Sequence, residues 1–330
     1  MVEQRVSSGG LRRVFGNCVS DNGDESLLSV AYLALLGRNG FDVYSRDGVH
    51  VMVCAHPNDK DSILVLPEVA ENHELLTQSH LLPDVLKQLS QQEKEVRLAR
   101  FSQDQLARLR QKMAAKLQDS IKDIETVVED KLDWKYPAHV LSTKAVAALE
   151  GGQFKRLRKK LGMLTSRHEL SHTSIKEEDA LNKMRFIMTR WEAKMILDGK
   201  ADMGRDVVSI YETMFETLQQ NPAAYEGRIF YVDGQPTGLS IWDKNNKNNA
   251  VLLVNLTDHS VQDLSVFQIV ETCKVLDEQG VRYCDLGGSE DEGLNRFKES
   301  FRPEVSVSLQ SAVVTYHRPT FKKEQMIGWR

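Results

Sequence analysis

A lysine set behind a strand end and a glycine pair is the feature of this chain best suited to chemistry. In residues 283–303 (YCDLGGSEDEGLNRFKESFRP) a short apolar strand breaks at Gly287-Gly288 and an acidic loop follows. One helical turn then carries Phe297-Lys298, and Phe301 and Pro303 close it. The glycines free the backbone, so several N–H groups across Gly287, Gly288 and Ser289 are expected to point inward as an anion nest. Lys298 reaches the same region, and Arg302 one turn on adds charge. This suits acyl transfer, where an oxyanion forms as an amine attacks an ester or thioester. The plainer reading is a strand-to-helix turn with a solvated lysine.

Two further segments invite a chemical reading. In GGQFKRLRKK, five of the eight residues from Gln153 to Lys160 are Lys or Arg. A Gly151-Gly152 pair before a helix start offers free N–H groups to a phosphate, and the cations that follow complement it. The same run also reads as a solvated helix face. His168-Glu169-Leu170-Ser171-His172 satisfies the HExxH pattern, which holds zinc only on a helix, where the two histidines share one face. Here the surrounding alternation favours a strand, which puts the imidazoles about 13 Å apart, too far for one ion. No metal is expected.

Composition sets the limits around these segments. The chain has 330 residues, enough for two domains, and its 41% hydrophobic and 27% charged residues are ordinary globular usage. A formal net charge of −4 means that any contact with a polyanion must come from a local patch. Four cysteines lack ligand spacing and read as buried thiols where they sit in apolar stretches (Cys273, Cys284). The polar start excludes a signal peptide and no run is long enough to span a bilayer, so a soluble, cytoplasmic protein is expected.

The elements that must position the site follow from periodicity. Residues 1–25 read as a mobile lead-in. Residues 26–130 read as one α/β unit: a helix before Gly40, a hairpin about Asp47-Gly48, a strand ending at Pro67, a helix from Pro83, the strand EVRLARF, and a helix capped by Ser102 with Gln105. Residues 116–134 are expected to be the connection into a second unit over 131–330. That unit holds the basic helix, a strand at HELSHTSI, and two helices whose first has its core face marked by Leu181, Met184, Ile187, Met188 and Trp191. A hairpin about Asp233-Gly234, a buried strand, a helix ended by Gly280 and the strand VRYCDL complete it. Strand–hairpin–strand–helix–strand is the central arrangement of the GNAT acyltransferase fold, and the first half reads as a degenerate copy. The stretch LTDHSVQDLSVFQ, where acetyl-CoA users of that fold carry a glycine-rich pyrophosphate turn, has no glycine.

With these segments in view, the chain resembles the C-terminal domain of bacterial phosphatidylglycerol lysyltransferases and their soluble relatives. The resemblance is carried by Tyr136, Ser142, Thr143, Gly151, Phe154 and Arg158, with Lys159 departing from the family's Asn. DLGGSEDEGLNRFKESFRP is similar both to that family and to the Fem-type aminoacyltransferases through Asp285, Leu286, Gly287, Leu294, Lys298 and Pro303. The resemblance implies an α/β (α+β) chain of tandem GNAT-like domains, the first degenerate and the second catalytic. It also implies transfer of an aminoacyl group from charged tRNA to an amine or hydroxyl of a small molecule or peptide. On that reading Lys298 stabilises charge at the acyl carbon or the leaving ribose. Lys155, Arg156, Arg158 and Lys159 hold tRNA phosphates, and Asp285, Glu290 or Asp291 orients or deprotonates the acceptor. No tightly bound cofactor is expected. An acyl-CoA or acyl-carrier thioester as donor, and a non-catalytic GNAT-like binding module, are the alternatives.

Overall fold

The computed structural model describes residues 2–6, 18–20, 33, 40–56, 59–116, 121–127, 135–199, 201–220, 225–244, 248–258, 260–289 and 291–317. Two mixed sheets carry the fold, and local sequence builds each. In the first, β3 (Phe41–Arg46) and β4 (Val49–Ala55) form a hairpin whose turn, Asp47-Gly48, has φ of 52° and 77°. Positive φ at both central residues is what a two-residue turn between twisted strands requires. The strands β5 (Ser62–Val65), β6 (Val69–Ala70) and β7 (Glu95–Phe101) follow, with helices α1 (His73–Gln78) and α2 (Leu81–Leu89) between the last two. Helix α3 (Gln103–Lys116) begins with the expected reciprocal cap. Gln105 N–H donates to Ser102 Oγ at 3.2 Å, and Ser102 N–H donates to Gln105 Oε1 at 2.9 Å.

Two expectations for this half are corrected. The supposed lead-in supplies β1 (Val2–Val6), paired with β3, and β2 (Val19–Ser20), paired with β6. The supposed connection after residue 116 contains β8 (Ile121–Val127), whose charged residues face outward while Ile121 and Ile124 are buried. Of the helix expected before Gly40, only Leu33 lies among the described residues; it is helical and buried.

The second sheet begins with β9 (Ala138–Ser142), followed by α4 (Thr143–Ala148) and the basic helix α5 (Lys155–Thr165). Strand β10 (Leu170–Ser174) leads to α6 (Ala180–Leu197) and α7 (Ala201–Gln220). Then come β11 (Glu226–Val232), β12 (Gln235–Lys244), β13 (Asn249–Thr257), α8 (Leu264–Glu278), β14 (Tyr283–Asp285) and α9 (Glu292–Glu299). The chain closes with β15 (Val305–Val307) and β16 (Gln310–Tyr316). The strand order is β10-β11-β12-β13-β14-β9-β15, antiparallel except for β13 with β14. Strand β16, from the 131–330 stretch, returns to the first sheet and pairs with both β7 and β8.

Each sheet contains one parallel pair joined through helices: β5 with β7, and β13 with β14. The second pair matters for the site. Only Asn249–Val251 pair with Tyr283–Asp285, and β13 then runs on to Thr257 without β14 beside it. One core cluster holds this region together, with Leu141 on β9, Phe154 and Leu157 at α5, the buried face of α8, Leu286 and Phe301. All four cysteines are buried; Cys284 has its thiol pushed up by a hydrogen bond with Cys273 and by burial. No helix among the described residues is long and apolar enough to cross a membrane.

Candidate active site

The Gly287-Gly288 turn is a cation cradle rather than an anion nest. Lys298 lies on α9, packed through Phe297 and Phe301 onto the core cluster. Its Nζ donates to the carbonyls of Leu286 at 2.8 Å, Gly287 at 3.2 Å and Gly288 at 2.5 Å. An ammonium has three N–H groups, and these three carbonyls use them. Of the three amides expected to face an oxyanion, those of Gly287 and Ser289 are engaged elsewhere, as is that of Leu286 before them. Leu286 N–H donates to His139 O, Gly287 N–H to Asp285 Oδ1 at 2.7 Å, and Ser289 N–H to Tyr136 O. Ser289 Oγ is buried and has no hydrogen-bond partner among the described residues. A turn whose carbonyls converge needs a cation behind it, and that need explains the Gly-Gly…Lys spacing.

The acidic residues of the segment divide in the same way. Asp285 is buried and fixes the turn through the Gly287 amide. Asp291 caps α9, its Oδ1 accepting from Leu294 N–H at 2.8 Å. Glu290 lies outside the described residues. Arg302 is exposed, with φ of 56° just after α9.

The basic helix is anchored by its apolar side and open on its charged side. Phe154 and Leu157 are buried, while Lys155, Arg156, Arg158 and Lys159 are exposed. Gly151 (φ 82°) and Gly152 lead in through a short 3-10 turn, and no side chain caps the helix N-terminus. The Lys155 N–H is taken by Gly152 O of that turn, and the helix dipole adds to the positive field of the cations. Arg158 is the exception within the run. It donates to Leu149 O, where α4 ends in a left-handed residue, and to Gly151 O at 2.8 Å. The fixed arginine of the resemblance is thus a brace for the glycine turn. Lys160 pairs with Asp263 at 2.8 Å.

The N-terminus of α8, where a coenzyme pyrophosphate sits in the acetyl-CoA-using form of the fold, is walled by carboxylates. Asp263 precedes the helix in a left-handed conformation (φ 64°), and Asp258 pairs with Arg190 at 2.6 Å. With Asp263 held by Lys160, that helix end is taken up by two ion pairs where a pyrophosphate would need a close backbone approach.

The HExxH segment lies at the start of β10, as its alternation predicts. His168 Nδ1 is 2.8 Å from Asp233, and His172 Nε2 is 3.7 Å from Glu271, so the two rings serve different carboxylates. With Thr165, Leu170, Ser171 and Phe267 they line an open cavity of about 400 Å³.

One group of residues went unnoticed in the sequence. His139 on β9 is 2% exposed. Its Nδ1 is 2.8 Å from Ser306 Oγ on β15, its Nε2 is 2.8 Å from Asn295 Oδ1 on α9, and Asn295 Nδ2 donates to Glu299 Oε1 at 2.9 Å. The backbone of His139 also bonds the Lys298 turn, its N–H donating to Gly287 O and its carbonyl accepting from Leu286 N–H. No local signal marks this set, because Ser306 and His139 are 167 residues apart in sequence.

Comparison with known proteins bears on the fold. No family profile matches the chain, and no curated protein does. Solved structures do. A conserved protein of unknown function from Bacteroides thetaiotaomicron VPI-5482 aligns over 96% of this chain and 99% of its own, with a TM-score of 0.72 and 15% identity. L-PGS from Bacillus licheniformis aligns over 94% and 93% (TM-score 0.60, 11% identity). The C-terminal domain (DUF2156) of a putative lysylphosphatidylglycerol synthetase from Agrobacterium fabrum aligns over 87% and 87% (TM-score 0.56, 13% identity). The fold is therefore the mixed α/β, tandem GNAT-like one, shared with the structures that the sequence resemblance pointed to.

Proposed function

We propose that the chain is a GNAT-like transferase that moves an aminoacyl group from charged tRNA to an amine or hydroxyl of a small molecule or peptide. The observation that carries this reading is the contrast between an open cationic helix end and one closed by ion pairs. The α5 N-terminus offers Lys155, Arg156 and Lys159 and has no side-chain cap. The α8 N-terminus is occupied by the Asp258–Arg190 and Asp263–Lys160 pairs. A donor held through a polyanionic backbone fits the first and not the second. Names among the fold neighbours, lysylphosphatidylglycerol synthetase above all, agree with an aminoacyl donor.

An aminoacyl ester is already activated, so the protein supplies mainly position and charge. Lys298 acts by holding the turn at the end of β14 and by placing one positive charge there. Because its three N–H groups are spent on carbonyls, it does not hydrogen-bond an oxyanion. Arg302, exposed one turn on, adds a further cation for the donor.

The test is turnover. Bulk tRNA charged with labelled amino acids is incubated with the protein and a mixture of amines and peptides, and label is followed from tRNA to acceptor. Protein-dependent transfer supports the reading. Transfer from acyl-CoA or acyl-carrier thioesters instead would replace the donor, and transfer from neither would leave the binding-module reading.

A further inference from the structure

We infer that Ser306 is a base-activated nucleophile, with His139 as its base and Asn295 as the residue that sets the ring. This deepens the proposed function, on which the identity of the acyl donor rests; the reactivity of the serine does not rest on it.

The hydrogen-bond directions are determined by the far end of the chain of contacts. The Asn295 amide nitrogen donates to the Glu299 carboxylate, so the Asn295 oxygen faces the imidazole. Turning the amide over would set that oxygen against Glu299 and lose the bond. An amide oxygen only accepts, so His139 Nε2 carries the proton in the neutral ring. Nδ1 then holds the lone pair, and the hydroxyl 2.8 Å away donates to it. A hydroxyl hydrogen-bonded to an imidazole whose other nitrogen is oriented by an amide is the arrangement that activates nucleophiles in Cys-His-Asn and Ser-His-Asp hydrolases.

Burial makes the arrangement more than a satisfied core histidine. His139 and Asn295 are buried, whereas Ser306 is exposed on the edge strand β15. The base and its orienting residue are shielded while the serine lies at the surface, which is the distribution a nucleophile needs. The same face of the sheet leads into the core that anchors the cationic helix. His139 and Leu141 alternate onto one face of β9, and Leu141 shares its core cluster with Phe154 and Leu157 of the cationic helix segment. Ser306 is paired opposite His139 and so lies on that face.

The step balances without a further reactant. Ser306 Oγ attacks the acyl carbon of an activated ester and forms a new C–O bond as its proton passes to His139 Nδ1. The bond to the leaving alkoxide breaks, and that alkoxide takes the proton from His139. An incoming amine then attacks the Ser306 ester, His139 accepts the amine proton, and the serine oxygen leaves and is reprotonated. Transfer is then ping-pong, with the acceptor binding after the donor has left.

A fluorophosphonate probe tests this without tRNA. Peptide mapping is expected to find the phosphonyl group on Ser306 and not on the neighbouring exposed Ser308. Ser306→Ala, a surface change that leaves the core intact, loses the adduct. His139→Gln slows labelling by about 10²–10⁴-fold, the usual worth of a general base; if that variant unfolds, Asn295→Ala is read for the same slowing. An unlabelled Ser306, or labelling that neither change slows in folded protein, overturns the proposal. Labelled Ser306 with no tRNA turnover would keep the nucleophile and reject the donor. Turnover without labelling would mean direct transfer.

Discussion

Lys298 shows how a residue type can be legible while its contacts are not. Gly-Gly followed by a lysine in a helical turn marks the place, because only a flexible backbone lets three carbonyls converge. Whether amides or carbonyls face the lysine depends on residues about 150 positions earlier in the chain, where His139 O on β9 takes up the amide of Leu286 and Tyr136 O, just before that strand, takes up that of Ser289. Replacing Lys298 with Met keeps the stem and removes the ammonium, leaving carbonyls unsatisfied. Thermal or urea unfolding is expected to show a loss of about 1–3 kcal/mol. Glu271 offers a second residue-scale check. Burial pushes its carboxyl up, but the His172 ring beside it and a hydrogen bond from Lys274, together with their charges, outweigh burial and hold it below its ordinary value of 4.5. A depressed folded pKa means that its contribution is present above 4.5 and is lost as pH falls through the lower folded value. Glu271→Gln should therefore lower the melting temperature near neutral pH and flatten its fall in that acid window. An unchanged acid slope would remove the assignment.

Elements whose signals are local were readable in advance. The hairpins at Asp47-Gly48 and Asp233-Gly234 have positive φ at both turn residues, and the Ser102/Gln105 cap has both of its bonds. Strand β8 was not readable, because IKDIETV is mostly polar and becomes a strand only through pairing with β16, far along the chain. The packing of α8 was hidden for a related reason. Gln268, fully buried, donates from its amide to Leu256 O at 2.9 Å and accepts from Thr257. It fits beside β12 only because position 238 has no side chain, since a Cβ there would lie 2.8 Å from Gln268 Cδ. Gly238→Ala is thus expected to destabilise by about 1–3 kcal/mol, as overpacking does. A denaturation midpoint equal to the parent's would show that α8 shifts freely, contrary to this packing.

At the scale of the whole molecule, the two sheets are tied by β16, which leaves the second half and fills the gap between β7 and β8. Residues 1–130 alone would expose two unpaired strand edges, and edges of that kind aggregate. That fragment is expected to be insoluble or unfolded by circular dichroism, and a monomeric folded fragment would contradict the topology. The same scale explains the electrostatics. A chain of net charge −4 has no general affinity for nucleic acid, so binding must come from the α5 end. The most direct test of the account is binding of bulk charged tRNA across a salt series, with Lys155, Arg156 and Lys159 changed together to Ala and Arg158 left in place as a brace. The account predicts binding at low salt that weakens steeply as salt rises and is lost in the triple variant while its melting temperature is unchanged. Equal binding by the triple variant, or none by the parent at low salt, would contradict it.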